Sequence, residues 1–334
     1  MQKQTAFNFL LALTVLIVSG CAQPQYFDPL PGVRFGVNAH MPEDPVLDAL
    51  EETDVKWLRL SIPWSHIEVE QGVYEWEFPD DRVAEISSRG YHIFLSISET
   101  PVWANTSGSS NLPPDNPALW EEFMFQVSSR YSGQVEAYGI WNEPNDGGGE
   151  YFDGTPEEFR DLILIPGCRG VRRGDPYAKI AAPGITVHTD WSEWMEPIFT
   201  EEVREMVDIV SVHVYTRGNA LDLFWDVDYR DTNLGDIKPV EYVLRKLNLE
   251  EYPLWIEETG WPTGGEMGIS EEEQAAFLNE LLIGLSEREE IDRTFWYDVV
   301  DDPAPGDPYY NFGLFHEDLT PKPAVEVFYD FRID

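Results

Sequence analysis

Eight short apolar runs alternate with helix-like stretches from about residue 34 onward, and this predicts an α/β chain closed into a single-domain (β/α)8 (TIM) barrel. The 334-residue length suits one such domain, and 43% hydrophobic residues can fill its core. No Gly-rich turn follows the first run, which argues against an open dinucleotide-binding sheet. The expected strands are Arg34–Asn38, Lys56–Ile62, His92–Ser98, Glu136–Trp141, Lys179–Ala182, Asp208–Val214, Pro253–Glu257 and Arg293–Tyr297.

The helices between them announce themselves at their ends. Asn116–Tyr131 places Leu119, Phe123, Val127 and Tyr131 at helical spacing. Thr155-Pro156-Glu157-Glu158 reads as a capping box with Pro in the first turn, and Ser270-Glu271-Glu272-Glu273 opens another helix. Pro166-Gly167 predicts a kink or break in the helix after Thr155.

The ends of the chain carry a different kind of information. Lys3, the apolar run Phe9–Val18 and Val18-Ser19-Gly20-Cys21 make residues 1–20 a targeting segment. That last tetrapeptide resembles the lipobox of bacterial lipoproteins, which implies cleavage before Cys21, a lipid on its sulfur and export to the cell envelope. Ala22 offers no acid for inner-membrane retention, so the outer membrane is expected in a diderm host. Residues 21–32, with three Pro, read as a tether, and the barrel domain as 33–334. Cys168 is then the one other cysteine, expected as a buried apolar residue.

Acids outnumber bases 62 to 22, giving a net charge of −40, and only six of the bases are Lys. Such a surface repels nucleic-acid phosphates and excludes them as partners. It resembles the surfaces of proteins from high-salt environments, where screening relieves self-repulsion. No Cys/His cluster has zinc-site spacing, and neither a metal nor a cofactor is implied. The acidic runs Asp298–Asp302 and Glu271–Glu273 read as solvated.

Chemistry on such a barrel sits where the strands end. The fourth strand runs into Asn142-Glu143-Pro144-Asn145, and the seventh into Glu257-Glu258-Thr259-Gly260-Trp261. Carboxylates at two opposed strand ends can flank one sugar. One would protonate the leaving oxygen while the other attacks the anomeric carbon or activates water.

Trp141-Asn142-Glu143-Pro144 and Glu257-Glu258-Thr259-Gly260-Trp261 resemble the strand-4 and strand-7 signatures of the clan A glycoside hydrolases. Arg59, Trp64, Gly72, Tyr74, Trp76, His213, Tyr215, Trp296, Phe312-Gly313-Leu314 and Pro321-Lys322-Pro323-Ala324 extend the likeness over about residues 34–331. Families 39 and 5 are the nearest in pattern. Ser96-Ile97-Ser98-Glu99 lacks the His typical of family 5 and is closer to family 39.

The resemblance implies a retaining glycosidase acting on a β-linked oligo- or polysaccharide, with Glu143 as acid/base and Glu258 as nucleophile. The alternative is a carbohydrate-binding barrel lipoprotein without catalysis. Strand alternation points Glu257 away from the pocket if Glu258 faces it. Arg59 is expected beneath the nucleophile, keeping it ionised, with Tyr215 as its hydrogen-bond donor and His213 on the same strand face. Asn142 is expected to donate to the sugar 2-hydroxyl, and Trp296 to form a platform under the ring. Trp103, Trp225, Tyr229, Trp261, Tyr309 and Tyr310 are candidates for outer subsites.

Overall fold

A computed structural model describes residues 34–330 except 147–150, 188–190, 216–239, 287, 289 and 305. Cys21, the targeting segment, the tether, Trp225 and Tyr229 lie outside the described residues.

Eight parallel strands close into a barrel: β1 (Phe35–Asn38), β2 (Trp57–Pro63), β3 (His92–Ser98), β4 (Ala137–Ile140), β5 (Lys179–Thr186), β6 (Ile209–His213), β7 (Leu254–Thr259) and β8 (Ile291–Trp296). Each pairs with its neighbours in sequence, and β1 closes on β8 through Phe35–Thr294 and Val37–Trp296. All eight expected strands are present; β5 continues beyond Ala182 to Thr186, and β7 runs on through both of its glutamates.

The interior is filled in layers. Trp57, Phe94, Ala137, Ala181, Ile209, Trp255 and Phe295 form the apolar floor, one residue from each of β2 to β8. The β1 position in this layer is Gly36, where a Cβ would lie 2.6 Å from the Phe295 ring and 2.8 Å from Trp57 Cβ. The floor sets the phase of every strand, because side chains two residues further on also point inward. That rule brings Asn38, Arg59, Ser96, Ser211, His213 and Tyr215 to the upper layers.

The helices pack outside. Pro117–Arg130 starts at Asn116, whose side chain accepts from the Ala118 N–H. Thr155 and Glu158 form the expected capping box, worth roughly 1 kcal/mol for its N-cap. The helix it opens does not break at Pro166-Gly167. Pro156–Phe159 passes into a π-helical stretch, Arg160–Leu164, and then into Ile165–Gly174. The wider turn just ahead of Pro166 lets the chain stay helical past a residue that has no N–H to give. Cys168 lies on this helix, 1% exposed, and burial pushes its thiol up to about 12.

Candidate active site

The acid at the end of β4 is aimed by a strained turn. Trp141 and Glu143 both have positive φ, +73° and +39°. Such conformations persist where the surroundings hold them, and they concentrate at functional sites. Here the Glu143 N–H donates to Gly184 O at 2.9 Å, while Asn145 exchanges two hydrogen bonds with Thr186 at 2.7 and 3.0 Å. The end of β5 therefore fixes the β4 turn, and with it the Glu143 carboxylate.

The acid of β7 is aimed by an irregularity. Ser211 pairs with Trp255 and Val212 with Ile256, but His213 pairs with Glu258, so Glu257 is an extra residue in the ladder. Glu257 points inward because Trp255 does; the bulge then turns Glu258 inward as well. The expectation that Glu257 faces away from the pocket is thus corrected. Its Oε2 lies 3.4 Å from both Arg59 Nη2 and His213 Nε2.

Arg59 ties the site together. Its Nη1 donates to Glu258 Oε1 and to Asn38 Oδ1, each at 2.7 Å, and its Nη2 donates to Asn142 Oδ1 at 2.9 Å. A buried guanidinium costs several kcal/mol in lost hydration unless it is paired and hydrogen-bonded. Asn38 also donates to Glu257 O at 2.9 Å and Trp296 O at 3.3 Å, joining β1 to β7 and β8. With Asn142 Oδ1 held by Arg59, its amide NH2 is the end left to donate to a ligand.

Glu258 Oε2 accepts from the Tyr215 hydroxyl at 2.7 Å. Burial pushes the Glu258 carboxyl up, but His213, Arg59 and Tyr215 outweigh it and hold it below the usual range. Tyr215 itself is held protonated by burial and by the adjacent Glu258 charge. His213 Nδ1 lies 2.8 Å from Glu143 Oε1 and 3.4 Å from Glu258 Oε2. Burial would strip its proton, but Glu258, Glu143 and Glu257 outweigh it and raise the ring to about 10, which favours the imidazolium.

A carboxylate oxygen from Glu143, one from Glu258 and a ring nitrogen of His213 lie within 4.8 Å of one another. Glu258 accepts from Arg59 and Tyr215, and Glu143 Oε1 lies at hydrogen-bond distance from His213 Nδ1, so each member of this set has a partner within the chain. The structure brings Glu143, Glu258, Arg59, Asn142, His213 and Tyr215 together at the barrel mouth.

Trp296 does not join them as a platform. Phe295 lies in the floor, so Trp296 points out toward the helices, fully buried against Trp261, and its Nε1–H donates to Phe312 O at 3.1 Å. Trp261, expected in an outer subsite, is also core, buried between Trp296 and Phe277. The next inward residue is Tyr297, half-buried and packed edge-on against Tyr215 at 6.3 Å, which makes it the aromatic of β8 at the mouth. Counting by twos from Phe295 would have found it.

Two of the acids expected to be solvated are buried. Asp298 pairs with His40 at 2.9 Å. Asp301 accepts from Lys322 Nζ at 2.6 Å, which answers its charge from within the chain.

Residues 169–321 match the family model described as the glycosyl hydrolase catalytic core. No curated protein matches the sequence. Among solved structures, a family 39 glycoside hydrolase from Bacteroides cellulosilyticus superposes with a TM-score of 0.69 at 20% identity, over 89% of this chain. The chain spans 63% of that enzyme's length. GH5_18 of Streptomyces cattleya, in complex with GlcNAc, gives 0.70 at 17% identity over 89% of this chain and 79% of that one. Xylanase 10B of Thermotoga petrophila gives 0.63 at 15% over 90% and 93%. These likenesses show the (β/α)8 fold, and residues 169–321 are similar to a glycosyl hydrolase catalytic core, in line with the clan A resemblance of the chain's motifs.

Proposed function

We propose that this chain is a retaining glycosidase that cleaves β-linked oligo- or polysaccharides through a covalent glycosyl-enzyme. One observation carries the reading: oxygens of Glu143 and Glu258 approach within 4.8 Å across the mouth. Carboxylates about 5–5.5 Å apart leave no room for a water on the far face of the sugar, whereas inverting pairs stand about 6.5–9.5 Å apart. Glu258, kept ionised by Arg59 and Tyr215, attacks the anomeric carbon. Glu143 protonates the leaving oxygen and then, as a carboxylate, takes a proton from the water that frees the sugar. The Asn142 NH2 group serves the 2-hydroxyl contact, and Tyr297 replaces Trp296 as the aromatic beside the ring.

Screening β-glucan, xylan, mannan, galactan and aryl glycosides tests the reading, with Glu258→Ala as the blank. Turnover by wild type alone supports it. Turnover by neither would favour the carbohydrate-binding lipoprotein. In the cell, we propose a lipid anchor at Cys21 in the envelope, outer membrane in a diderm host. Cys21→Ser should then leave the membrane fraction; unchanged membrane association would refute the anchor.

A further inference from the structure

The mouth holds an acid that a two-carboxylate mechanism does not use. Glu257 is 1% exposed, and its Oε1 has no hydrogen-bond partner among the described residues. Burying an incompletely bonded carboxylate is costly, and a neutral side chain of similar shape avoids that cost. The groups facing His213 are Glu143 from β4 and Glu257 and Glu258 from β7, with Arg59 from β2 behind them and Tyr215, itself edge-on to Tyr297, donating to Glu258 Oε2. Three carboxylates thus meet one permanent cation, and His213 is the group able to supply the second.

We propose that Glu257 is a positioning residue, clamping His213 Nε2 from the side opposite Glu143 so that the Nδ1–H stays aimed at the acid/base carboxylate. The inference rests on the glycosidase reading above. A ring that donates from both nitrogens must be an imidazolium, and it cannot turn without breaking one contact. When Glu143 hands its proton to the leaving oxygen, the negative charge left on it meets a fixed, charged N–H at 2.8 Å. Donors placed in advance where charge develops lower a barrier without reorganisation. Without Glu257 the ring keeps its Nδ1 partner but loses the anchor on its other edge and one of the charges that keep it protonated.

The test pairs kinetics with spectroscopy. Glu257→Gln keeps the shape and removes the charge. It should lower kcat on substrates with poor leaving groups by about tenfold, short of the roughly 10²–10⁴-fold due to the acid itself, with KM little changed. The alkaline limb of kcat/KM should move to lower pH. Nitrogen-15 NMR of histidine-labelled protein, with His213 assigned through His213→Asn, should show both ring nitrogens protonated at pH 8 in the wild type. In Glu257→Gln the ring should lose its proton at lower pH. Wild-type kcat and pH profile in Glu257→Gln would overturn the proposal. So would a neutral His213 at pH 8 in the wild type, a measurement that stands even if the variant does not fold. An inactive wild type would instead count against the glycosidase reading, and the spectrum of His213 would still decide its clamping by Glu257.

Discussion

Two buried clusters of charge in this barrel are built differently. Behind the closing segment, Lys322 Nζ donates to Asp301 Oδ1, Thr263 Oγ1 and Asn311 O at 2.6, 2.9 and 3.1 Å. Asp301 also accepts from the Gly313 N–H at 2.9 Å. One permanent cation meets one buried anion there, with the partly exposed His316 3.4 Å from the other Asp301 oxygen, and the ammonium's three protons all have acceptors. At the mouth, three carboxylates share Arg59 and an imidazole that can gain or lose a proton. The balanced pair pins the chain after β8 to the loop after β7. The unbalanced cluster keeps a proton in play, and that is what acid/base chemistry requires.

Substitutions should separate the two. The largest effect is expected at the nucleophile: Glu258→Ala should cut hydrolysis by at least about 10⁴-fold while the fold persists. Azide should then enter the vacated space and give a glycosyl azide of inverted configuration, identifiable by NMR. Glu143→Ala should lose about 10²–10⁴-fold on poor leaving groups but still form the intermediate from activated aryl glycosides, and azide should then give a retained product. Lys322→Met should do the opposite of both. Stranding Asp301 without its cation should cost about 3–5 kcal/mol in denaturant unfolding, with kcat of the folded protein unchanged. A catalytic loss there, without a stability loss, would dissolve the distinction between the clusters.

The titrations give smaller effects. His213 is raised from its ordinary 6.5 to about 10, so its contribution to stability is complete below pH 6.5 and lost as pH climbs toward 10. Glu258 is lowered from 4.5, so its contribution is present above that value and lost as pH falls through its folded pKa. Melting temperature should therefore decline from pH 6.5 to 10, and His213→Asn should flatten that decline. The smallest shift is expected from the surface: with a net charge of −40, melting temperature should rise from dilute to molar NaCl. A flat or falling response would remove the salt-adapted reading.

The barrel was legible because alternating apolar runs and helix caps are local signals. Seven of the eight strands end within two residues of the limits expected from sequence, and β5 runs on because its pairing with β6 resumes at Ile185 and Thr186 after an irregularity at Pro183-Gly184. Glu143 and Glu258 were legible as motifs at strand ends. Glu257 was misread because a β-bulge is a property of two strands together: nothing in Ile256-Glu257-Glu258 reveals that His213 will pair one residue late. Trp296 was misread for a different reason. Its neighbour Phe295 belongs to the floor, and only the floor as a whole fixes which of Trp296 and Tyr297 turns inward. Asp301 looked solvated because its cation, Lys322, is 21 residues away.

The central claim is that Glu258 attacks the sugar directly and leaves no space for water on that face. The anomer first released from a β-glycoside, followed by proton NMR before mutarotation, tests this most directly. The β-anomer, with retained configuration, is the predicted product; an α-anomer would mean a single displacement, with Glu258 acting as a base on water.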